Sequence, residues 1–177
     1  MWARRSRATV CRRQRNRRCS RSRASRRRDN CDYDTLFPEE YNVVFALKNS
    51  LNETYTVDRS AETSIYTVTV LKGGAQPTMT GDVKIEPWTV EEIGDYGATI
   101  GRTYKLLPSA AYTLSETDLH FDGTVRGTDI LITFNQTAVY DFITNNSGAI
   151  CVLPLRLVSQ QTVDSEKESV LIEVKVK

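Results

Sequence analysis

The sequence predicts an all-β protein, a sandwich of short strands behind a disordered arginine-rich arm, and three observations predict it. Runs of alternating apolar and polar residues recur through residues 41–177, with Ser64–Leu71 the clearest. Gly, Pro, Asn and Asp punctuate those runs about every 8–12 residues, the rhythm of a sandwich rather than of βαβ units. Residues 1–28, by contrast, hold 13 arginines and neither lysine nor acid. Such a composition cannot bury enough apolar surface to offset the entropy of ordering.

Taken in order, residues 1–30 (MWARRSRATVCRRQRNRRCSRSRASRRRDN) form the arm. Three readings of it stand. Clustered arginine neutralises phosphates, so a nucleic-acid-binding arm is the first. An inert solvated tail is the second. A shifted reading frame is the third, because arginine without lysine among Ser, Cys, Ala and Trp looks like GC-rich sequence translated out of register. Residues 29–177 favour the third: they use seven Lys against four Arg, and all 22 acids fall there against 11 basic residues, a net charge of −11. An acidic body and an arm without interleaved aromatics argue against a nucleic-acid partner. The whole-chain charge of +2 averages the two segments and describes neither.

Residues 31–40, CDYDTLFPEE, change character at once. A cysteine followed by acids and a short tether is how mature bacterial lipoproteins begin. Asp32 and Asp34 after Cys31 resemble the surface-export signal of Bacteroidetes lipoproteins. Arg28, Asp29 and Asn30 are not the apolar, small-residue approach that lipidation requires. The resemblance therefore implies a lipid-accepting Cys31, with outer-membrane and cell-surface placement, once an apolar segment from another frame is restored ahead of it. A solvent-exposed linker cysteine is the other reading. Cys11, Cys19, Cys31 and Cys151 follow no metal or disulfide spacing. No run of about 18 apolar residues occurs, so the sequence offers no membrane-spanning helix.

The body then reads as strands. Val43–Lys48 opens it and ends at Asn49-Ser50; Glu53–Asp58 is the second. Ser64–Leu71 turns Ile65, Thr67, Thr69 and Leu71 to one face and Tyr66, Val68 and Val70 to the other. Gly73-Gly74 ends it where positive φ is needed. Asp82–Glu86 is short and closed by Pro87 and Trp88. Thr89–Gly101 contains three glycines and reads as a loop with at most one helical turn. Thr103–Leu107 and Ala111–Leu114 meet at a Pro108-Ser109 corner, because proline fixes its own φ and turns the preceding residue away from the helical region. Asp118–Asp122 alternates acid and apolar, and Asp129–Phe134 is a strand. Thr137–Ile143 is a two-turn helix crossing between sheets, and Ile150–Val158 and Val170–Val176 complete the set. Residues 41–177 suffice for one sandwich with a complete core. With a strand running almost to Lys177, a further C-terminal domain is expected beyond it.

Two motifs carry a resemblance. Gly101-Arg102-Thr103-Tyr104-Lys105-Leu106-Leu107-Pro108 with Tyr112, and then Val152-Leu153-Pro154-Leu155-Arg156-Leu157-Val158-Ser159, resemble in order and spacing the domain of unknown function 1735 family. That family is a Bacteroidetes surface-lipoprotein module, similar to the N-terminal module of endo-β-N-acetylglucosaminidases. The resemblance covers about residues 41–177 and implies an immunoglobulin-like sandwich on an outer-membrane lipoprotein encoded with polysaccharide-utilisation machinery. It implies a glycan, or a glycan-active domain at the cell surface, as the partner. It brings no catalytic residue and no cofactor.

The residues offer several candidate chemistries, each beside a plainer reading. Trp88, Tyr96 and Tyr104 are candidate sugar platforms, since a pyranose face stacks on an exposed ring and binding residues favour loops on a rigid scaffold; alternatively Trp88 is a core tryptophan between the sheets. Asp118, His120 and Asp122 at alternate positions could present metal ligands or merely be outward polar residues. Glu86, Glu91 and Glu92 could supply a glycosidase carboxylate pair or be solvated charges. No nucleophile-elbow, phosphate-loop or zinc-ligand spacing occurs, so neither catalysis nor a bound metal is expected. Cys151 between Ile150 and Val152 reads as a buried apolar thiol.

Overall fold

The computed structural model describes residues 42–58, 60–61, 64–74 and 78–177. The arm, the tether and Cys31 lie outside them. The elements run β1 (Val44–Leu47), β2 (Asn52–Val57), β3 (Ser64–Gly73), β4 (Gly81–Pro87), α1 (Val90–Thr99), β5 (Tyr104–Leu106), β6 (Tyr112–Leu114), β7 (Asp118–Phe121), β8 (Gly127–Phe134), α2 (Gln136–Asn145), β9 (Ile150–Val158), β10 (Thr162–Val163) and β11 (Ser169–Val176). They form two sheets, one ordered β10-β1-β3-β8-β6 and the other β2-β11-β9-β4-β7, with β5 joining β9 off that path. This is the all-β sandwich expected, including a helix, α2, that carries the chain from β8 in the first sheet to β9 in the second.

Alternation in sequence becomes two-sidedness in space. On β3, Val68 and Val70 are fully buried while Ile65 is 48% exposed, the division that period-two patterning dictates. Phe45, Val70, Ile130 and Ile132 from the first sheet meet Ile85, Leu153, Leu155 and Ile172 from the second in one continuous core. Phe45 and Phe121 pack at its centre with ring centroids 5.4 Å apart. Gly74, with φ 115°, turns the chain out of β3, as its place after the strand predicts. At the proline corner, Pro108 leads into a single 3-10 turn, Ser109–Ala111. The chain passes there from β5, which pairs in the second sheet, to β6 in the first.

Strand β9 is apolar on both faces, and both are used. Leu153, Leu155 and Leu157 point into the core, whereas Val152 belongs to a smaller cluster on the outer face of the second sheet. β11 pairs along one side of β9. The other side is shared, antiparallel with β4 from Val158 to Leu155 and parallel with β5 from Ile150 to Val152. β4 and β5 thus approach each other head-on and part at Pro154. The Pro154 carbonyl accepts from the Trp88 N–H at 3.1 Å and the Val152 carbonyl from the Leu107 N–H at 2.9 Å. A proline is tolerated inside this central strand because its nitrogen faces the seam, where no ladder acceptor would meet an N–H.

One expectation is corrected. Thr89–Gly101 is not a loop: Val90–Thr99 is a ten-residue helix. Thr89 and Glu92 form a capping box, each side chain accepting from the other's backbone N–H. The glycines misled because they were read as breakers. A Cβ on Gly97 would lie 2.5 Å from the Arg102 carbonyl oxygen, so this glycine lets the helix end pack against the returning chain. Gly101, with φ 68°, is the residue that turns the chain after the helix. Gly94 meets nothing within 4 Å. Alanine at the two helical glycines should therefore act in opposite directions in urea unfolding. Gly94→Ala should stabilise by about 0.5–1 kcal/mol, and Gly97→Ala should destabilise by about 1–3 kcal/mol. A Gly97→Ala protein as stable as the parent would contradict the close approach.

Candidate functional site

The outer face of the second sheet is where the candidate residues gather, and Arg156 divides it. On one side of Arg156, α1 covers the sheet. Ile93 of α1, Tyr104 of β5, Val152 of β9 and Leu171 of β11 form a buried cluster, with Trp88, Tyr96 and Leu106 packed against it. The structure thus brings Trp88, Tyr96 and Tyr104 together. Trp88 meets Tyr96 edge-on with centroids 5.7 Å apart, and Tyr96 stacks on Tyr104 at 6.2 Å and 18°. Tyr104 is 8% exposed and supports Tyr96 from beneath rather than presenting a ring of its own. Trp88 is half-buried, and its indole N–H is buried without a hydrogen-bond partner among the described residues. Trp88 therefore packs outside the main core, under the helix rather than between the sheets.

The border itself is electrostatic. Arg156 Nη1 donates to Glu92 Oε1 at 2.5 Å, and Glu92 Oε2 accepts the Thr89 N–H at 2.7 Å. The Thr89 N–H first, and the Arg156 guanidinium second, hold the Glu92 carboxyl below its ordinary range. A glycosidase acid needs the opposite shift. Glu86 lies opposite Arg156 across the β4–β9 ladder and pairs with Lys84 at 2.8 Å, and Glu91 is exposed on the helix. Glu86 and Glu92 are engaged in these contacts, and the three glutamates form no acid–base pair across a cleft among the described residues. Burial pushes the Cys151 thiol pKa up, and the residue is 3% exposed, as befits an inert apolar thiol.

Beyond Arg156 the face is open and polar. Asp118 and His120 project outward from the edge strand β7, while Leu119 and Phe121 are buried. Asp122 does not join them. It sits in the following turn, where its carboxylate accepts from the N–H groups of Thr124 and Val125 at 2.8 and 3.0 Å. Those bonds lower its pKa. His120 instead pairs across the ladder with Asp82, Nδ1 to Oδ1 at 2.7 Å. Among the described residues no three His, Cys, Asp or Glu side chains are grouped to hold a metal ion. Asp82, Lys84, Asp118 and His120, with Gln160 and Gln161 of the β9–β10 loop, line a cleft of about 620 Å³. Sequence reading missed Asp82 and the two glutamines, because their relation to His120 is entirely between strands.

Comparison with known proteins follows this geometry. A family model described as a "-like, N-terminal domain" matches residues 37–164. No curated protein matches the chain. Among solved structures, a candidate carbohydrate-binding protein from Bacteroides ovatus superposes with a TM-score of 0.59 at 15% identity, over 74% of this chain and 36% of that one. A multidomain protein including domain of unknown function 1735, also from Bacteroides ovatus, superposes with a TM-score of 0.55 at 15% identity, over 76% of this chain and 45% of the other. At these identities the likeness is one of fold, and the chain spans less than half the length of either.

The Glu92 contacts make a pH prediction with a definite sign. Because its folded pKa is lowered, the charge of Glu92 stabilises the fold above 4.5, the ordinary value of its carboxyl, and that share is lost as pH falls through the folded value. Glu92→Gln should lower Tm at pH 7, and the gap to the parent should close as the pH drops below 4.5. A gap independent of pH would show that the charge contributes nothing.

Proposed function

Since the chain belongs to the N-terminal-domain family whose model it matches over residues 37–164, the family it resembles as domain of unknown function 1735, we propose that it is a non-catalytic module of a cell-surface lipoprotein, serving to capture glycan or to space an adjacent glycan-active domain. The family match carries this reading: a module defined by its N-terminal place works alongside other domains. Two observations support it. The chain matches less than half of two solved structures, one a candidate carbohydrate-binding protein and the other a multidomain protein. Of the carboxylates that could have formed a glycosidase pair, Glu92 is engaged in a helix cap and an ion pair and Glu86 in an ion pair.

Anchoring belongs to the same proposal. Cys31, followed by Asp32 and Asp34, is the proposed lipid acceptor at the outer membrane, and residues 31–40 are the proposed tether.

The test is chemical. Purified chain incubated with neutral and acidic polysaccharides should release no reducing ends over hours at any pH from about 3 to about 8, a range chosen to span carboxylate and histidine titration. Release that survives repurification and is lost on Glu86→Gln or Glu92→Gln would overturn the non-catalytic reading.

A further inference from the structure

We propose that the cleft between edge strand β7 and the β9–β10 loop is a binding site for a neutral, polyhydroxylated ligand, a segment of uncharged polysaccharide; this rests on the glycan reading above and names the surface that does the binding.

The first argument is preorganisation. The loop is tied down at Asp82, whose carbonyl accepts from the Ser159 hydroxyl and whose N–H donates to Gln161 Oε1 at 3.3 Å. Gln161 Oε1 lies 2.8 Å from Ser159 Oγ and shares that single hydroxyl proton with the Asp82 carbonyl, while Ser159 Oγ accepts from the Gln161 N–H at 3.1 Å. Across the ladder Asp82 fixes the His120 ring through Nδ1. A carboxylate only accepts, so Nδ1 carries the proton and Nε2 is left facing outward. The residues are held, yet their second polar atoms are not consumed. The other carboxylate oxygen of Asp82, Nε2 of His120, the amide nitrogen of Gln161 and the whole Gln160 amide have no partner among the described residues. Fixed groups with free hydrogen-bonding capacity lose little entropy when a ligand docks.

The second argument is charge. Asp82 and Asp118 face one ammonium, Lys84, which is already paired with Glu86, and residues 29–177 carry a net −11. A phosphate, sulfate or uronate would be repelled. An apolar ligand would find little beyond Val158, which is 42% exposed. Vicinal hydroxyls, each both donor and acceptor, match a ring of carboxylate, imidazole and amide groups, and Val158 suits the C–H face of a sugar ring.

The third argument is elimination within the same face. Trp88, Tyr96 and Tyr104 spend their ring surfaces on one another, which leaves the open half of the sheet as the available surface.

Full chain run in affinity gels containing a neutral β-glucan, mannan or xylan, with polygalacturonate as the anionic control, tests this directly. At least one neutral polymer should retard the protein, and any retardation by polygalacturonate, which the arginine-rich arm can bind, should be unchanged by substitutions in the cleft. Asp82→Ala/His120→Ala should weaken retardation about tenfold, with Tm within a few degrees because both side chains are exposed. Gln160→Ala, at the loop tip, should weaken it without touching the strands. Trp88→Phe should leave it unchanged. Retardation kept by the cleft variants but lost in Trp88→Phe would overturn the cleft while leaving glycan capture standing. Loss of polygalacturonate retardation in the cleft variants, or no retardation by any neutral polymer, would overturn the cleft as well; the latter leaves spacing as the module's role, whereas reducing-end release would sink the functional reading itself.

Discussion

Strand β9 is enclosed on every side as far as Pro154, and the rest of the described structure is arranged by how each side is closed. Its inward leucines meet the first sheet, and β11 takes one edge. Its outward Val152 and Pro154 require a cover, and its remaining edge is divided between β4 and β5. That division is what forces α1 to exist. A chain leaving β4 at Pro87 and returning as β5 on the same edge must cross the outer face between them, and a crossing over apolar Val152 and Leu171 is satisfied by a helix with one apolar stripe. Burial of both faces explains why ICVLPLRLV reads as a nearly continuous apolar run rather than an alternating one.

The same strand sets the functional boundary. Up to Pro154 its outer face is apolar and helix-covered. At Arg156 it becomes charged, and the helix ends its hold there through Glu92. From Val158 onward nothing among the described residues covers it, so the outward side chains of β4 and β7 stand free beside the β9–β10 loop. A covered, rigid half next to an open, polar half is a reasonable basis for a binding face, since fixed scaffolds hold recognition groups more precisely than loops alone.

Most of the strands were legible because burial on one face imprints a period of two on the sequence, as Val68 and Val70 against Ile65 and Leu71 show. The α2 crossing was legible from its short apolar–polar pattern, and β10, two residues long, left no pattern to read. Helix α1 was obscured by Gly94, Gly97 and Gly101, whose roles differ: one is free, one permits close packing and one turns the chain. Composition cannot separate those roles, although Thr89 and Glu92 carried the capping-box signature. The gathering of Trp88, Tyr96 and Tyr104 followed from their clustering near one another in sequence. The cleft did not, because Asp82 lies 38 residues from His120 and 79 from Gln161, and only strand pairing joins them.

The central claim, that the open half of the second sheet is the face that meets glycan, is tested most directly by amide chemical-shift mapping of the full chain during titration with a neutral oligosaccharide. The account predicts shifts confined to residues 82–84, 118–120 and 158–161, with α1 and the outer face of β3 and β8 unmoved. Shifts centred on 88–104, or spread over the outer face of the first sheet, would contradict it.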